Sequence, residues 1–486
     1  MLYRSTRSEH RASAPEAVLQ GIAPDGGLYV PESFPDFDWQ GCLRCPPTEI
    51  SARVLAALLP GCGDAEGLVD KAYFGKFSTP LLCPLERVGG LWSLELYHGP
   101  TSAFKDVALS VLPRLISEAR RSSGIETIHI LTATSGDTGK AALEGFHDVP
   151  GTEITVFFPA DGVSPVQQAQ MVTQEGSNVH VLAVEGNFDD CQRGVKEAFA
   201  QIKTELPAGA ALSSANSINI GRLAPQLAYY FMAYAELLRQ NVIRLGEPVD
   251  FSVPTGNFGD ILAGYYAKKL GLPVGRLLCA SNANRVLTDF LRTGVYDTRR
   301  PFFTTDSPSM DILVSSNLER LLFDALGGDT AEVCRCMDAL SREGVYTVPE
   351  AAMERIRESF VGYTCDDARG RSMIRSIWEQ QHYLCDPHTA VGFAAAEDYL
   401  AETGSKTPLV VLSTASPFKF AGAVLQALGV RPHGDGFRQM QQLSALTGLT
   451  VPEKLRELSR KKVLHRDRIA RSAVTEAVRQ IVRGER

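Results

Sequence analysis

Residues 253–260 read Val253-Pro-Thr-Gly-Asn-Phe-Gly-Asp260, set between an apolar stretch at 248–253 and an amphipathic run through Leu262, Tyr265, Tyr266 and Leu270. An extended apolar segment, a glycine-bearing turn and a helix make up half of a strand–helix–strand crossover, and the same rhythm recurs along the chain. Strands are expected at 127–133, 153–159, 179–186, 211–215, 249–254, 276–281 and 407–414, with amphipathic helices at 165–175, 190–202 and 222–239 among them. This pattern predicts an α/β fold of doubly wound, mostly parallel sheets. Residues 1–85 read as a helical, loop-rich N-terminal domain, with a boundary near Phe77-Ser-Thr-Pro80, ahead of a body at 86–486.

Four strand-to-helix junctions carry chemistry. In the first, Gly256 and Gly259 let the backbone approach an anion, and the helix start near Asp260 adds a favourable dipole. The plainer alternative is a tight turn with Asp260 as N-cap. In the second, Tyr97-His-Gly-Pro-Thr-Ser-Ala-Phe-Lys-Asp106, Lys105 lies at the start of a helix. The dipole and partial burial disfavour its ammonium form, leaving neutral amine to attack a carbonyl and form a Schiff base, whereas a solvated structural lysine is the alternative.

The third junction is Leu131-Thr-Ala-Thr-Ser-Gly-Asp-Thr-Gly-Lys140. It fails the G-x-x-x-x-G-K-[ST] nucleotide pattern twice, at Thr134 and Ala141. Ser135, Asp137 and Thr138 instead offer hydroxyls and amides to a carboxylate or phenolic oxygen at a helix start. The fourth, Val410-Val-Leu-Ser-Thr-Ala-Ser-Pro-Phe-Lys419, ends an apolar strand in hydroxyls. Ligands bind at that edge in doubly wound sheets, although Ser413, Thr414 and Ser416 are equally suited to capping a strand end.

Together with Tyr3-Arg-Ser-Thr-Arg7, Gln20-Gly-Ile-Ala-Pro-Asp-Gly-Gly-Leu-Tyr-Val-Pro31 and Asn216-Ser-Ile-Asn219, these junctions resemble, in order and spacing, the threonine synthases. That family uses pyridoxal 5'-phosphate on fold type II, the fold of tryptophan synthase β subunits. The resemblance covers nearly the whole chain, least clearly at 295–380, and implies sheets in two lobes, with 91–220 including a smaller mobile lobe. It places Lys105 as the Schiff-base lysine, Gly256, Asn257, Phe258, Gly259 and Asp260 as the cofactor-phosphate loop, and Thr414 opposite the pyridine nitrogen. A hydroxyl there does not stabilise a full pyridinium, which restrains delocalisation into the ring. Where the family pattern has histidine after Leu-Ser-Thr-Ala, this chain has Ser416.

The implied reaction converts O-phosphohomoserine and water to threonine and phosphate, with Lys105 as linker and general base. Substrate-binding candidates are Ser135, Asp137 and Thr138 near the carboxylate, and Asn216, Asn219, Arg222 and Lys419 as donors to the leaving phosphate. Asp137 would repel an anionic substrate unless protonated, salt-bridged or turned toward amides. Arg222 has an alternative as a surface ion-pair residue. His98 and His388 are each open to a structural or a site-facing role. Two other functions share these residues: another pyridoxal-phosphate elimination or replacement on a phosphorylated or O-acylated amino acid, and a non-catalytic threonine-synthase-like binding protein.

A chain of 486 residues, 44% hydrophobic, buries a sizeable core. Its net charge of −7 argues against nucleic acid or an anionic membrane as main partner, even though the tail at 454–486 is locally basic. That tail reads as a pair of amphipathic packing helices. No apolar stretch is long enough to span a bilayer, and no secretory signal precedes the body, which predicts a cytoplasmic protein, monomer or homodimer. Ten cysteines without paired spacing suggest reduced thiols, and the lone Cys42-Leu-Arg-Cys45 is expected to bind no metal.

Overall fold

A computed structural model describes residues 1–486 except 122, 135 and 162, together with all of their side chains but that of Asp189. Two mostly parallel sheets organise the body. The larger has six strands in the order Phe360–Thr364, Val274–Ser281, Val249–Pro254, Leu409–Ser413, Leu91–Glu95 and Leu85–Val88, all parallel but for the last, which forms a hairpin with its neighbour. The smaller has five parallel strands in the order Arg468–Ala470, Val179–Glu185, Thr152–Pro159, Thr127–Ala133 and Ala210–Ser213. Every residue of Val249–Pro254 and Leu409–Ser413 is buried, as expected where helices cover both faces of a sheet.

Helix Leu227–Arg239 fills the interior beside the large sheet with Tyr229, Tyr230, Phe231 and Tyr234. Its apolar character all round marks it as a core helix rather than a surface one. Helix Pro387–Thr403 lies against the same sheet; at Gly392 a Cβ would come within 2.9 Å of Val411. Helix Phe188–Ile202 covers the small sheet, its start fixed by an Asn187 capping box.

The N-terminal segment is helical and loop-rich, as expected, and in addition holds a small sheet that the sequence did not signal. Leu2–Ser5 pairs antiparallel with both Arg11–Ser13 and Tyr29–Pro31, giving a three-stranded sheet beside helices Ala14–Gln20, Pro47–Leu58 and Ala65–Tyr73. These strands have three or four residues, too short to display a period of two in sequence.

The tail also departs from two amphipathic helices. One is present, Val474–Val482, with Val474, Ala477, Val478, Ile481 and Val482 buried on one face. The preceding residues lack that spacing. They supply two short turns that bury Leu455 and Leu458, and then Arg468–Ala470, which pairs with Val184 and covers the open edge of the small sheet.

Candidate active site

Strands Val249–Pro254, Leu409–Ser413 and Leu91–Glu95 are parallel neighbours, so the segments that follow them meet at one carboxyl edge. There the Phe104 N–H donates to Thr414 O at 2.8 Å, and the Ser416 N–H donates to Ser102 O at 3.1 Å. These two backbone bonds bring Lys105 and Thr414 together from opposite ends of the sequence. Ser102 adopts a positive φ of 58° to make the turn.

Lys105 opens helix Lys105–Leu109 and is 8% exposed. Its Nζ lies 4.5 Å from the Phe104 ring centre and 3.7 Å from Asp137 Oδ2. Burial pushes its pKa down to about 8; Asp137 opposes the shift, while Lys419 and Arg222 add to it. At that value roughly a tenth is neutral amine at pH 7, and the share rises steeply above it. Asp106, next in sequence, accepts from the Thr101 N–H at 2.8 Å and the Thr101 hydroxyl at 2.6 Å, and burial raises its pKa to about 6.

Asp137 opens helix Asp137–Phe146 of the small sheet. Its Oδ1 receives Lys419 Nζ at 2.7 Å and Gln167 Nε2 at 3.0 Å. Burial alone would raise its pKa, but the Lys419 and Lys105 ammoniums hold it well below the usual carboxylate range. Of the three ways in which Asp137 could avoid repelling an anion, the structure adopts the salt bridge. Gly136, at φ 141°, has no room for a side chain, since a Cβ would meet Gln167 at 2.4 Å.

The segment 255–259 forms the cradle. Phe258 takes a left-handed φ of 62° at the N-cap of helix Gly259–Lys269, a strained conformation for an aromatic residue. A Cβ on Gly256 would lie 2.9 Å from Ser309 O, so only glycine fits under that backbone. Among the described residues, the N–H groups of Gly256, Asn257 and Phe258 donate to nothing. Three unpaired amides at a helix start are a ready anion site. Asp260 accepts from the Tyr229 hydroxyl through Oδ1, while its buried Oδ2 has no partner among the described residues; burial raises its pKa to about 7, against Tyr229 and Lys105.

Thr414 is 5% exposed, and its hydroxyl bonds to no described residue. Its N–H donates to Thr389 Oγ1 at 3.3 Å, and Thr389 in turn donates to Asp386. Asp386 caps helix Pro387–Thr403. His388 Nε2 accepts from the Ser309 N–H at 3.1 Å, which puts its proton on Nδ1, donating to Asp386 at 2.5 Å. His388 is thus a structural tie between the strand end and the segment over Gly256.

The remaining candidates divide. Arg222 is buried, with burial lowering its pKa to about 10; it donates to Ala215 O at 2.8 Å and pairs with no carboxylate among the described residues, unlike a surface ion-pair residue. Lys419 is spent on Asp137 and on Thr101 O at 3.0 Å. Asn219 is fully buried, its amide used on Val18 O, Ser214 O and the Gly221 N–H. Asn216 and Thr138 are half-buried, and Ser135 lies outside the described residues. His98 bonds to Ser78 at 3.0 Å and Glu95 at 2.7 Å on the rim. Ser416 N-caps the short turn Pro417–Phe420 that carries Lys419. Gln167 was not anticipated, although Ser164-Pro-Val-Gln167 carries a capping-box signature. Cys42 and Cys45 are free thiols, and no group of three metal-binding side chains occurs among the described residues.

The parts fit pyridoxal phosphate: a buried amine with a lowered pKa for its carbonyl, unpaired amides for its phosphate and an unpartnered hydroxyl for its ring nitrogen. Comparison with known proteins agrees. Residues 75–355 match the profile described as pyridoxal-phosphate dependent enzyme, residues 2–61 that of the threonine synthase N terminus, and residues 389–482 that of the threonine synthase C-terminal region. Threonine synthase of Pseudomonas aeruginosa is 40% identical across 88% of this chain and 90% of its own. Human threonine synthase-like 1 is 38% identical across 86% of this chain and 58% of its own. The crystal structure of PLP-bound threonine synthase from Brucella melitensis, 38% identical, matches 100% of this chain and 99% of its own with a TM-score of 0.88.

Proposed function

The chain belongs to the threonine synthase family of pyridoxal-phosphate dependent lyases, and from that premise we propose that it converts O-phosphohomoserine and water to L-threonine and phosphate, the last step of threonine biosynthesis. The observation that carries the reading is the meeting of Lys105, the 255–259 cradle and Thr414 at one sheet edge.

When bound, the cofactor supplies an electron sink for negative charge at the substrate's Cα. The Gly256, Asn257 and Phe258 amides hold its phosphate, with Gly259 and Asp260 starting the helix behind them. Thr414 offers its ring nitrogen a neutral hydroxyl, which limits side reactions such as transamination. Lys105 Nζ takes the Cα proton and later returns it, a task suited to an amine brought to about 8 by burial. Asp137 keeps Lys105 and Lys419 from facing each other as bare like charges. Arg222, buried and without a carboxylate partner among the described residues, is the cation best placed to receive a substrate anion; Asn216 and Thr138, both half-buried, remain candidate donors to the substrate.

Ten free thiols support a cytoplasmic enzyme; among the described residues no helix is long and apolar enough to cross a membrane. The test is phosphate release from O-phosphohomoserine, with Lys105→Ala run beside wild type and the product identified. Matched phosphate and threonine from wild type alone supports both reaction and residue. A visible band of bound cofactor without threonine leaves the cofactor site standing and removes the substrate.

A further inference from the structure

Residues 315–320 form a layer behind the cradle that the proposed reaction does not use. Ser315 Oγ donates to Gly256 O at 2.8 Å, and Ser316 Oγ donates to Asn257 Oδ1 at 3.3 Å. Asn317 donates twice to Asn257 O, from its backbone N–H at 3.1 Å and from Nδ2 at 3.0 Å. In a planar trans peptide the N–H points opposite to the carbonyl of the preceding residue. Drawing the Gly256 and Asn257 oxygens back onto this layer therefore turns the Asn257 and Phe258 N–H groups outward, two of the three that donate to nothing among the described residues.

Arg320 holds the layer in place. It is fully buried and donates through Nη1 to Asn317 Oδ1, through Nε to Tyr29 O at 2.9 Å, and through Nη2 to Ile218 O at 2.6 Å. Among the described residues no carboxylate pairs with it. Its neighbour Glu319 turns instead to Arg7, at 2.8 Å, and to Thr6. A buried guanidinium served only by neutral acceptors is costly, and an anion at the adjacent cradle would offset that cost.

We propose that Arg320 is a positioning residue for the cofactor phosphate: through Asn317 it fixes the cradle with its amides outward, and its charge, hydrogen-bonded to no carboxylate among the described residues, favours an anion there. The proposal rests on reading 256–260 as the phosphate loop. It also makes the N-terminal strand, through Tyr29, part of cofactor binding.

The test compares two ligands on cofactor-free protein, pyridoxal 5'-phosphate and pyridoxal, titrated by visible absorbance in wild type, Arg320→Lys and Arg320→Met. Arg320→Met is expected to lower the affinity ratio of phosphorylated over unphosphorylated ligand by about tenfold or more, with pyridoxal binding little changed and Arg320→Lys between the two. A merely structural role weakens both ligands alike and leaves the ratio unmoved, which overturns the proposal. If Arg320→Met has no cooperative melt, Asn317→Ala is put to the same ratio, and an unchanged ratio there overturns it equally. If wild type does not distinguish the two ligands, the phosphate-loop reading itself fails and takes this inference with it.

Discussion

Asp137 and Lys419 form a buried ion pair of 2.7 Å that joins the first helix after a small-sheet strand to the turn beyond Leu409–Ser413 of the large sheet. The same carboxylate is 3.7 Å from Lys105, so two ammoniums share one counter-charge. Removing Lys419 leaves Asp137 to Lys105 alone and removes a like charge, both of which raise the Lys105 pKa from about 8. Removing Asp137 lowers it. Cofactor uptake by cofactor-free protein, which needs neutral Lys105, is therefore expected to slow at about pH 7.5 in Lys419→Met, by roughly tenfold per pKa unit, with its pH midpoint moved alkaline. In Asp137→Asn the midpoint moves acid. Stopped-flow absorbance across pH checks this, and shifts of the same sign in both variants would defeat the shared-charge account.

Gly256→Ala places a Cβ 2.9 Å from Ser309 O and 3.2 Å from Met310 Cα, both backbone atoms without a rotamer escape. Either the cradle or the segment above it must shift, at about 1–3 kcal/mol. Cofactor affinity is expected to fall by about tenfold or more, measured by equilibrium titration. Wild-type affinity in this variant would mean that the cradle is not the binding surface.

Gly194 marks where helix Phe188–Ile202 crosses Val474–Val482, and its missing Cβ would meet Val474 Cβ at 2.9 Å. Gly194→Val is expected to push the terminal helix off the small sheet and to cost about 1–3 kcal/mol. Chemical denaturation checks this. Cofactor affinity at low temperature is expected to be unchanged, because Lys105 and the cradle lie on other elements.

The junction sequences carried most of what was legible. Strand, glycine turn and helix start are local, so Lys105, the 255–259 loop and Thr414 could each be placed at a strand end from their neighbours alone. What the sequence withheld is non-local. Nothing in the chain states that the strands at 91, 409 and 249 are adjacent, yet that order is what assembles the site. The Asp137–Lys419 pair and the Arg320 clamp join segments far apart in sequence, and the region around Arg320 carries no glycine-rich motif to single it out. A helix end also ran long, at 165–175 against the observed Pro165–Val172, because Gln174 and Glu175 are good helix formers and the first breaker is Gly176.

Asp260 gives the pH-dependent prediction. Its carboxyl is raised to about 7 by burial, while in the unfolded chain it titrates at about 3.9. Between those values the folded state holds a proton that the unfolded state has released, so stability falls as pH rises through this window and the loss persists above it. At about 1.36 kcal/mol per unit the cost comes to ~4 kcal/mol, an order-of-magnitude figure. Asp260→Asn keeps the Oδ1 that accepts from Tyr229 and cannot ionise, while its new amide group replaces an oxygen that had no partner among the described residues. Any packing cost of that amide is the same at every pH. Denaturant melts of cofactor-free protein should therefore show the stability of Asp260→Asn, minus that of wild type, growing by a few kcal/mol from about pH 4 to about pH 7.5. A difference that stays flat across that range would mean Asp260 is ionised in the folded protein throughout.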